Sequence, residues 1–145
     1  MRILVTGSSG LLGRSLRAKL PEDLGHEVLW INRNDADLTD SSLFEAILHD
    51  FNPELVIHTA ALVGGIGANA NNNLRFYLEN ILIDTNVLSA CASEGVARLL
   101  YFSSNCTYPV DSMRPIKESS LFLGEIEKTN VGYGEAKLAG VRLCG

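Results

Sequence analysis

A chain of 145 residues, 46% hydrophobic and 20% charged, has the make-up of one globular domain whose core needs no disulfide or metal to hold it. Twelve Lys and Arg against seventeen Asp and Glu leave a net charge of −5 with no basic run, which argues against a nucleic acid or an anionic membrane as partner. No apolar stretch reaches the roughly 18 residues that a membrane span needs, and the N-terminus runs into strand-like sequence without a signal-peptide layout, so a cytoplasmic protein is expected.

Residues 2–6 (Arg-Ile-Leu-Val-Thr) form a short aliphatic and β-branched run that breaks at Gly7-Ser8-Ser9-Gly10. Residues 11–20 then read as a helix stopped by Pro21, and residues 26–31 as a second strand. Residues 39–50 carry Leu43, Phe44, Ile47 and Leu48 at helical spacing, with Phe51 just beyond and Thr39 or Asp40 as the cap. A third strand is expected at 54–58, a Gly/Asn-rich loop at 63–73, a long helix at 74–95 and a fourth strand at 97–103. A polar loop with Pro109 and Pro115 fills 105–129, and residues 130–144 close the chain as a helix.

Strands alternating with helices imply right-handed βαβ units, so the expected fold class is α/β, a doubly wound parallel sheet of Rossmann type. The strands are near-continuous apolar runs, which predicts burial on both faces. Ligands of such sheets bind beyond the carboxyl ends of the strands. That directs attention to residues 7–13, 32–34, 58–65 and 103–106.

Gly7-x-x-Gly10-x-x-Gly13 follows the first strand and opens the first helix. In a dinucleotide site Gly7 permits the tight turn, Gly10 lets the backbone approach a pyrophosphate, and Gly13 lets helix and strand pack closely. The alternative is a purely structural turn. After the second strand, where an acid commonly binds the ribose of NAD, the chain has Asn32-Arg33-Asn34. A guanidinium pairs well with a 2′-phosphate, so Arg33 favours NADP; a solvated surface arginine is the alternative.

Tyr133 and Lys137 stand at i and i+4 on the final helix and so share a face. A nearby ammonium would lower the phenol's pKa toward neutrality and make Tyr133 a general acid or base. Ser103-Ser104 closes the fourth strand, and Ser104 would hydrogen-bond a substrate carbonyl that Tyr133 protonates while a nicotinamide delivers hydride. An exposed helical pair is the alternative. The cysteines Cys91, Cys106 and Cys144 are odd in number and widely spaced, and His26, His49 and His58 show no ligand spacing with them, so neither a disulfide framework nor a metal site is expected. Cys91 reads as core packing and His58 as a packed, hydrogen-bonded histidine.

With the glycine loop, Ser104, Tyr133 and Lys137 in this order, the chain resembles the extended short-chain dehydrogenase/reductases. The segments His58-Thr59-Ala60-Ala61-Leu62-Val63-Gly64-Gly65-Ile66, Tyr77-Leu78-Glu79-Asn80, Ser104-Asn105-Cys106-Thr107-Tyr108-Pro109 and Lys128-Thr129-Asn130 narrow the resemblance to the GDP-L-fucose synthase family, over the whole length. The resemblance implies NADPH-dependent 3,5-epimerisation and 4-keto reduction of GDP-4-keto-6-deoxy-D-mannose. It makes Ser104, Tyr133 and Lys137 the reductase triad and Cys106 the epimerisation base, its thiolate helped by the cationic cofactor ring or by Lys137. It also implies NADP contacts at Gly7, Ser9, Gly10, Leu11, Leu12, Gly13, Arg33, Ala60, Ala61, Tyr133 and Lys137, with Asp37 and Leu38 against the adenine, and a homodimer formed by the two long helices.

Three departures stand out. Ser9 replaces an arginine common in the family's glycine loop, and Asn105 replaces a serine between Ser104 and Cys106. The family's histidine acid and its substrate domain lie beyond the Tyr-x-x-x-Lys helix, so the expected architecture is truncated, without the substrate domain and with the last strand's edge uncovered. The competing readings are a non-catalytic dinucleotide-binding or interaction module and a different nucleotide-sugar epimerase or reductase. Val63-Gly64-Gly65-Ile66 together with Cys106 argues against the latter.

Overall fold

The β-branched run Arg2–Thr6 forms strand β1 at the middle of a parallel sheet, flanked by β2 (Glu27–Trp30) and β3 (Leu55–His58), with β4 (Arg98–Tyr101) beside β3. This is a computed structural model, and it describes residues 1–20 and 25–145. Leu4 lies opposite both Leu29 and Val56, and Leu99 lies opposite Val56 from the other side. The strand order β2-β1-β3-β4 means that the chain leaves β1 in one direction and β3 in the other. A crevice therefore opens at the carboxyl ends of β1 and β3, where such sheets take their ligands.

Helix α1 (Leu11–Lys19) follows β1; Pro21, expected to end it, lies outside the described residues. Helix α2 (Ser41–Phe51) joins β2 to β3 and is capped by Asp40, whose carboxylate accepts from the Ser42 amide at 3.0 Å and hydroxyl at 2.8 Å. Asn52, left-handed at φ +45°, ends it. Phe44 and Leu48 of α2 are fully buried with Leu4, Val5, Val56 and Val87. On the sheet, Ile3, Val5 and Ile57 gather Leu16, Val28, Trp30, Leu55 and Phe102 around them.

Two expectations change here. β1 and β3 are buried almost throughout, but β2 and β4 are partly open, with Leu100 at 47% exposure. Burial on both faces holds only for the two central strands, because β2 and β4 each pair on one side alone among the described residues. Second, the Gly/Asn-rich stretch expected as a loop contains a short helix, α3 (Ile66–Asn71). It is closed by a side chain: Asn69 Nδ2 donates to the carbonyls of Gly64 at 2.8 Å and Gly65 at 3.1 Å.

Helix α4 (Asn73–Ser93) follows at once, and α5 (Val131–Cys144) ends the chain. The polar segment between β4 and α5 holds three single 3-10 turns, Asn105–Thr107, Glu118–Ser120 and Lys128–Asn130. No helix among the described residues is long and apolar enough to cross a membrane. The chain sorts into two units, one made of Met1–Ala61 and Thr85–Phe102, the other of Leu62–Asp84 and Ser103–Gly145.

Candidate functional site

The first unit holds the glycine loop. Gly7 sits at φ +69°, and a Cβ on it would come within 2.6 Å of the Ala60 nitrogen and 2.7 Å of its Cα. Glycine is thus required twice, for the left-handed turn and for the close approach that sets Ala60 against the loop. A Cβ on Gly13 would fall 2.6 Å from Ser8 Cα, so α1 presses back onto the loop. Gly10 caps α1 without a side-chain bond, and its amide donates to Gly7 O at 2.9 Å. The first-turn amides, with exposed Leu11 and Leu12 on that turn, are therefore donors that a phosphate can use. Arg14, not singled out by sequence, donates from Nη1 to the Ser9 carbonyl at 2.6 Å and brings a positive charge to the loop.

The carboxyl ends of β1 and β3 are laced together. Thr6 Oγ1 lies 2.7 Å from His58 Nδ1 and accepts from the Ala60 amide at 3.3 Å, while Thr59 Oγ1 donates to Thr6 O at 2.6 Å. His58 is buried, its ring centroid 5.9 Å from that of Tyr101, the packed histidine expected. Beyond β2, Arg33 is exposed and its Nη2 lies 3.4 Å from Asp37 Oδ2. Asp37 also accepts from the Thr39 amide at 3.1 Å and hydroxyl at 2.8 Å. These Thr39 bonds, with Arg33 adding to them, hold its carboxyl below the usual range. Leu38 is buried, and its carbonyl accepts from Asn86 Nδ2 at 2.9 Å.

The second unit holds Ser104, Cys106, Tyr133 and Lys137. Ser104 caps the Asn105–Thr107 turn, its Oγ accepting from the Cys106 amide at 3.2 Å. The Tyr133 phenol is hydrogen-bonded to Ser104. That meeting depends on Gly134, where a Cβ would come within 2.7 Å of the Cys106 carbonyl oxygen, so only a bare helix surface lets α5 lie on the turn. The start of α5 is pinned to α4 by the Gly132 amide donating to Asn73 Oδ1 at 3.0 Å. Cys106 is half-buried, its thiol donating to Asn105 Oδ1 at 3.7 Å.

The electrostatics reverse one expectation. Burial pushes the Tyr133 phenol above its ordinary pKa; the Ser104 hydrogen bond opposes this, while Cys106 and Asp84 add to it. Burial is the main cause, and the partner of Lys137 adds to it. Its Nζ lies 3.3 Å from Asp84 Oδ2 and 3.4 Å from Oδ1, with the two side chains 3% and 1% exposed. Burial lowers the Lys137 pKa and Asp84 counters that. The lysine's charge thus comes with a carboxylate beside it, and the pair does not pull the tyrosine toward neutrality.

Asp84 and Asn80 were not foreseen as site residues. Both lie on α4, one turn apart on the face that buries Phe76 and Val87. Asn80 clasps the main chain of Leu62, accepting from its amide at 2.8 Å and donating to its carbonyl at 3.0 Å. The available signal was two polar residues on a helix face whose other members are apolar. Cys91 is buried in the core as expected, and Cys144 is exposed.

A model of the NAD dependent epimerase/dehydratase family matches residues 3–145. The chain is 38% identical over 144 residues to a GDP-L-fucose synthase of Sinorhizobium fredii, covering 99% of this chain and 45% of the relative. It is 34% identical over 144 residues to a GDP-L-colitose synthase of Yersinia pseudotuberculosis, covering 99% and 46%. A crystal structure of a GDP-L-fucose synthetase from Naegleria fowleri bound to NADP superposes with a TM-score of 0.89 at 31% identity, covering 98% of this chain and 46% of that one. The chain spans less than half the length of these relatives.

Proposed function

We propose that this chain, which belongs to the NAD dependent epimerase/dehydratase family, is the NADP-binding portion of a GDP-sugar epimerase/reductase that converts GDP-4-keto-6-deoxy-D-mannose to GDP-L-fucose. The observation that carries the reading is Tyr133 hydrogen-bonded to Ser104 with Lys137 one turn further along the same helix. A phenol held above its ordinary pKa stays protonated at neutral pH, which suits a proton donor. Ser104 hydrogen-bonds the sugar's C4 carbonyl oxygen, and Tyr133 gives that oxygen its proton. Bound NADPH supplies the hydride.

The residues fit such a cofactor. The loop made narrow by Gly7 and Gly13 and the uncapped first turn of α1 suit a pyrophosphate, and exposed Arg33 suits a 2′-phosphate. Asp37, Leu38, Ala60 and Ala61 would complete the adenosine side. Cys106 is assigned the epimerisation: its thiolate takes the proton at C3 or C5, each acidified by the adjacent 4-keto group, an acid on the opposite face protonates the resulting enolate at carbon, and the thiol then returns its proton to water. The match to a GDP-L-colitose synthase keeps a different GDP-keto-sugar as the second reading.

The chain should bind NADPH about tenfold or more tightly than NADH, through the one charge-assisted contact at Arg33. Incubated with NADPH and GDP-4-keto-6-deoxy-D-mannose, it should then consume nicotinamide absorbance. NADPH binding without turnover would leave a non-catalytic module; no binding would end both readings. Self-association is proposed as well, through α4 and α5. Leu74, Leu78 and Leu82 recur every fourth residue on α4 and are exposed beside Tyr77. Sedimentation should show a dimer that Leu78→Glu turns into a monomer; a parent chain that stays monomeric at high concentration would refute it.

A further inference from the structure

We propose that Asp84 is the positioning residue of the Ser104–Tyr133–Lys137 cluster: its carboxylate fixes the Lys137 ammonium through the buried ion pair between α4 and α5 and offsets that charge at the tyrosine. The assignment rests on the proposed reductase reading for its purpose, and on geometry for its substance. Lys137 and Asp84 are buried, and Nζ is within 3.4 Å of both carboxylate oxygens. A buried ammonium held by two oxygens has one place to be, whereas a lysine stem alone has several rotamers.

Asp84 is well held in turn. It sits one turn after Asn80, whose side chain is locked by three bonds, to Leu62 N, Leu62 O and Phe76 O. The α4 face that presents the carboxylate is therefore fixed at that turn by the segment that follows β3. Tyr133 meets Ser104 and Cys106 from the Asn105–Thr107 turn and Asp84 from α4. Lys137 meets Asp84 from α4 and Cys144 from its own helix. Of these groups, Lys137 and Asp84 form the ion pair. With both present the carboxylate contributes to holding the phenol's pKa up. With the carboxylate alone neutralised, the ammonium acts unopposed, and an unopposed cation favours the phenolate.

The test is the titration of Tyr133 in the chain without substrate, read by NMR of tyrosines labelled at the ring carbon bearing oxygen and assigned with Tyr133→Phe. In Asp84→Asn the Tyr133 midpoint should fall by about one unit or more, Asp84→Glu should restore it, and Tyr77, Tyr101 and Tyr108 should not move. An unmoved Tyr133 in folded Asp84→Asn would overturn the proposal. If that variant does not fold, the double variant Asp84→Asn with Lys137→Met removes both charges and decides the matter. Its Tyr133 midpoint should lie near the parent's, and a fall of a unit or more would overturn the proposal. The readout requires neither cofactor nor turnover, so a failure of the reductase reading would show separately, as an unchanged NADPH signal over a Tyr133 that titrates as expected.

Discussion

Lys137→Met should destabilise the chain by about 3–5 kcal/mol at neutral pH, because it leaves the Asp84 carboxylate buried without its countercharge. Asp84 is 1% exposed, so water cannot take the lysine's place without opening the packing between α4 and α5. The loss should depend on pH with a definite sign. In the variant, desolvation holds the folded carboxyl's pKa above its unfolded value, so the folded state binds the extra proton. The penalty is then small below the ordinary carboxylate range and grows as pH rises through it. Urea midpoints at an acid and a neutral pH measure this directly, and a variant within about 1 kcal/mol of the parent at neutral pH would mean that the pair is not a buried one. Replacing both partners with apolar residues should recover most of the loss, since the lone charge is then gone.

Tyr133→Phe should reduce turnover with the keto-sugar by about 10²–10⁴-fold, the usual worth of a positioned general acid. NADPH affinity should stay nearly intact, because the phenol's bond to Ser104 belongs to the reacting end. Stability should fall by only about 1 kcal/mol, the net value of one hydrogen bond. Titration of the cofactor and initial rates on the same preparation separate the outcomes. A variant that loses cofactor binding in step with turnover would assign Tyr133 a structural role.

Much of this architecture could be read from local sequence. β1 was visible as a β-branched run, α2 from its apolar spacing and its Asp40 cap, and the glycine loop from its position between a strand and a helix. Each of those signals lies within a dozen residues. What local sequence does not reveal depends on distant partners. α3 has no apolar period and is held by Asn69 reaching back to two carbonyls, so its sequence looked like a loop. The Tyr133 pKa is raised instead of lowered mainly because tertiary packing buries the phenol, and Asp84, which adds to the shift, pairs with a lysine 53 residues away. The half-open strands β2 and β4 looked as apolar as the central ones, since an edge is a property of the sheet.

α5 carries Gly132, Gly134 and Gly140 among its fourteen residues, each costing about 1 kcal/mol of helix propensity relative to alanine. Such a segment has little tendency to coil into a helix by itself, and its order comes from settling onto the turn at Ser104 and the start of α4. The acid and the cation are consequently put in place by the last stage of tertiary assembly. A chain that has collapsed but not docked this helix would hold every residue of the cluster and none of its alignment.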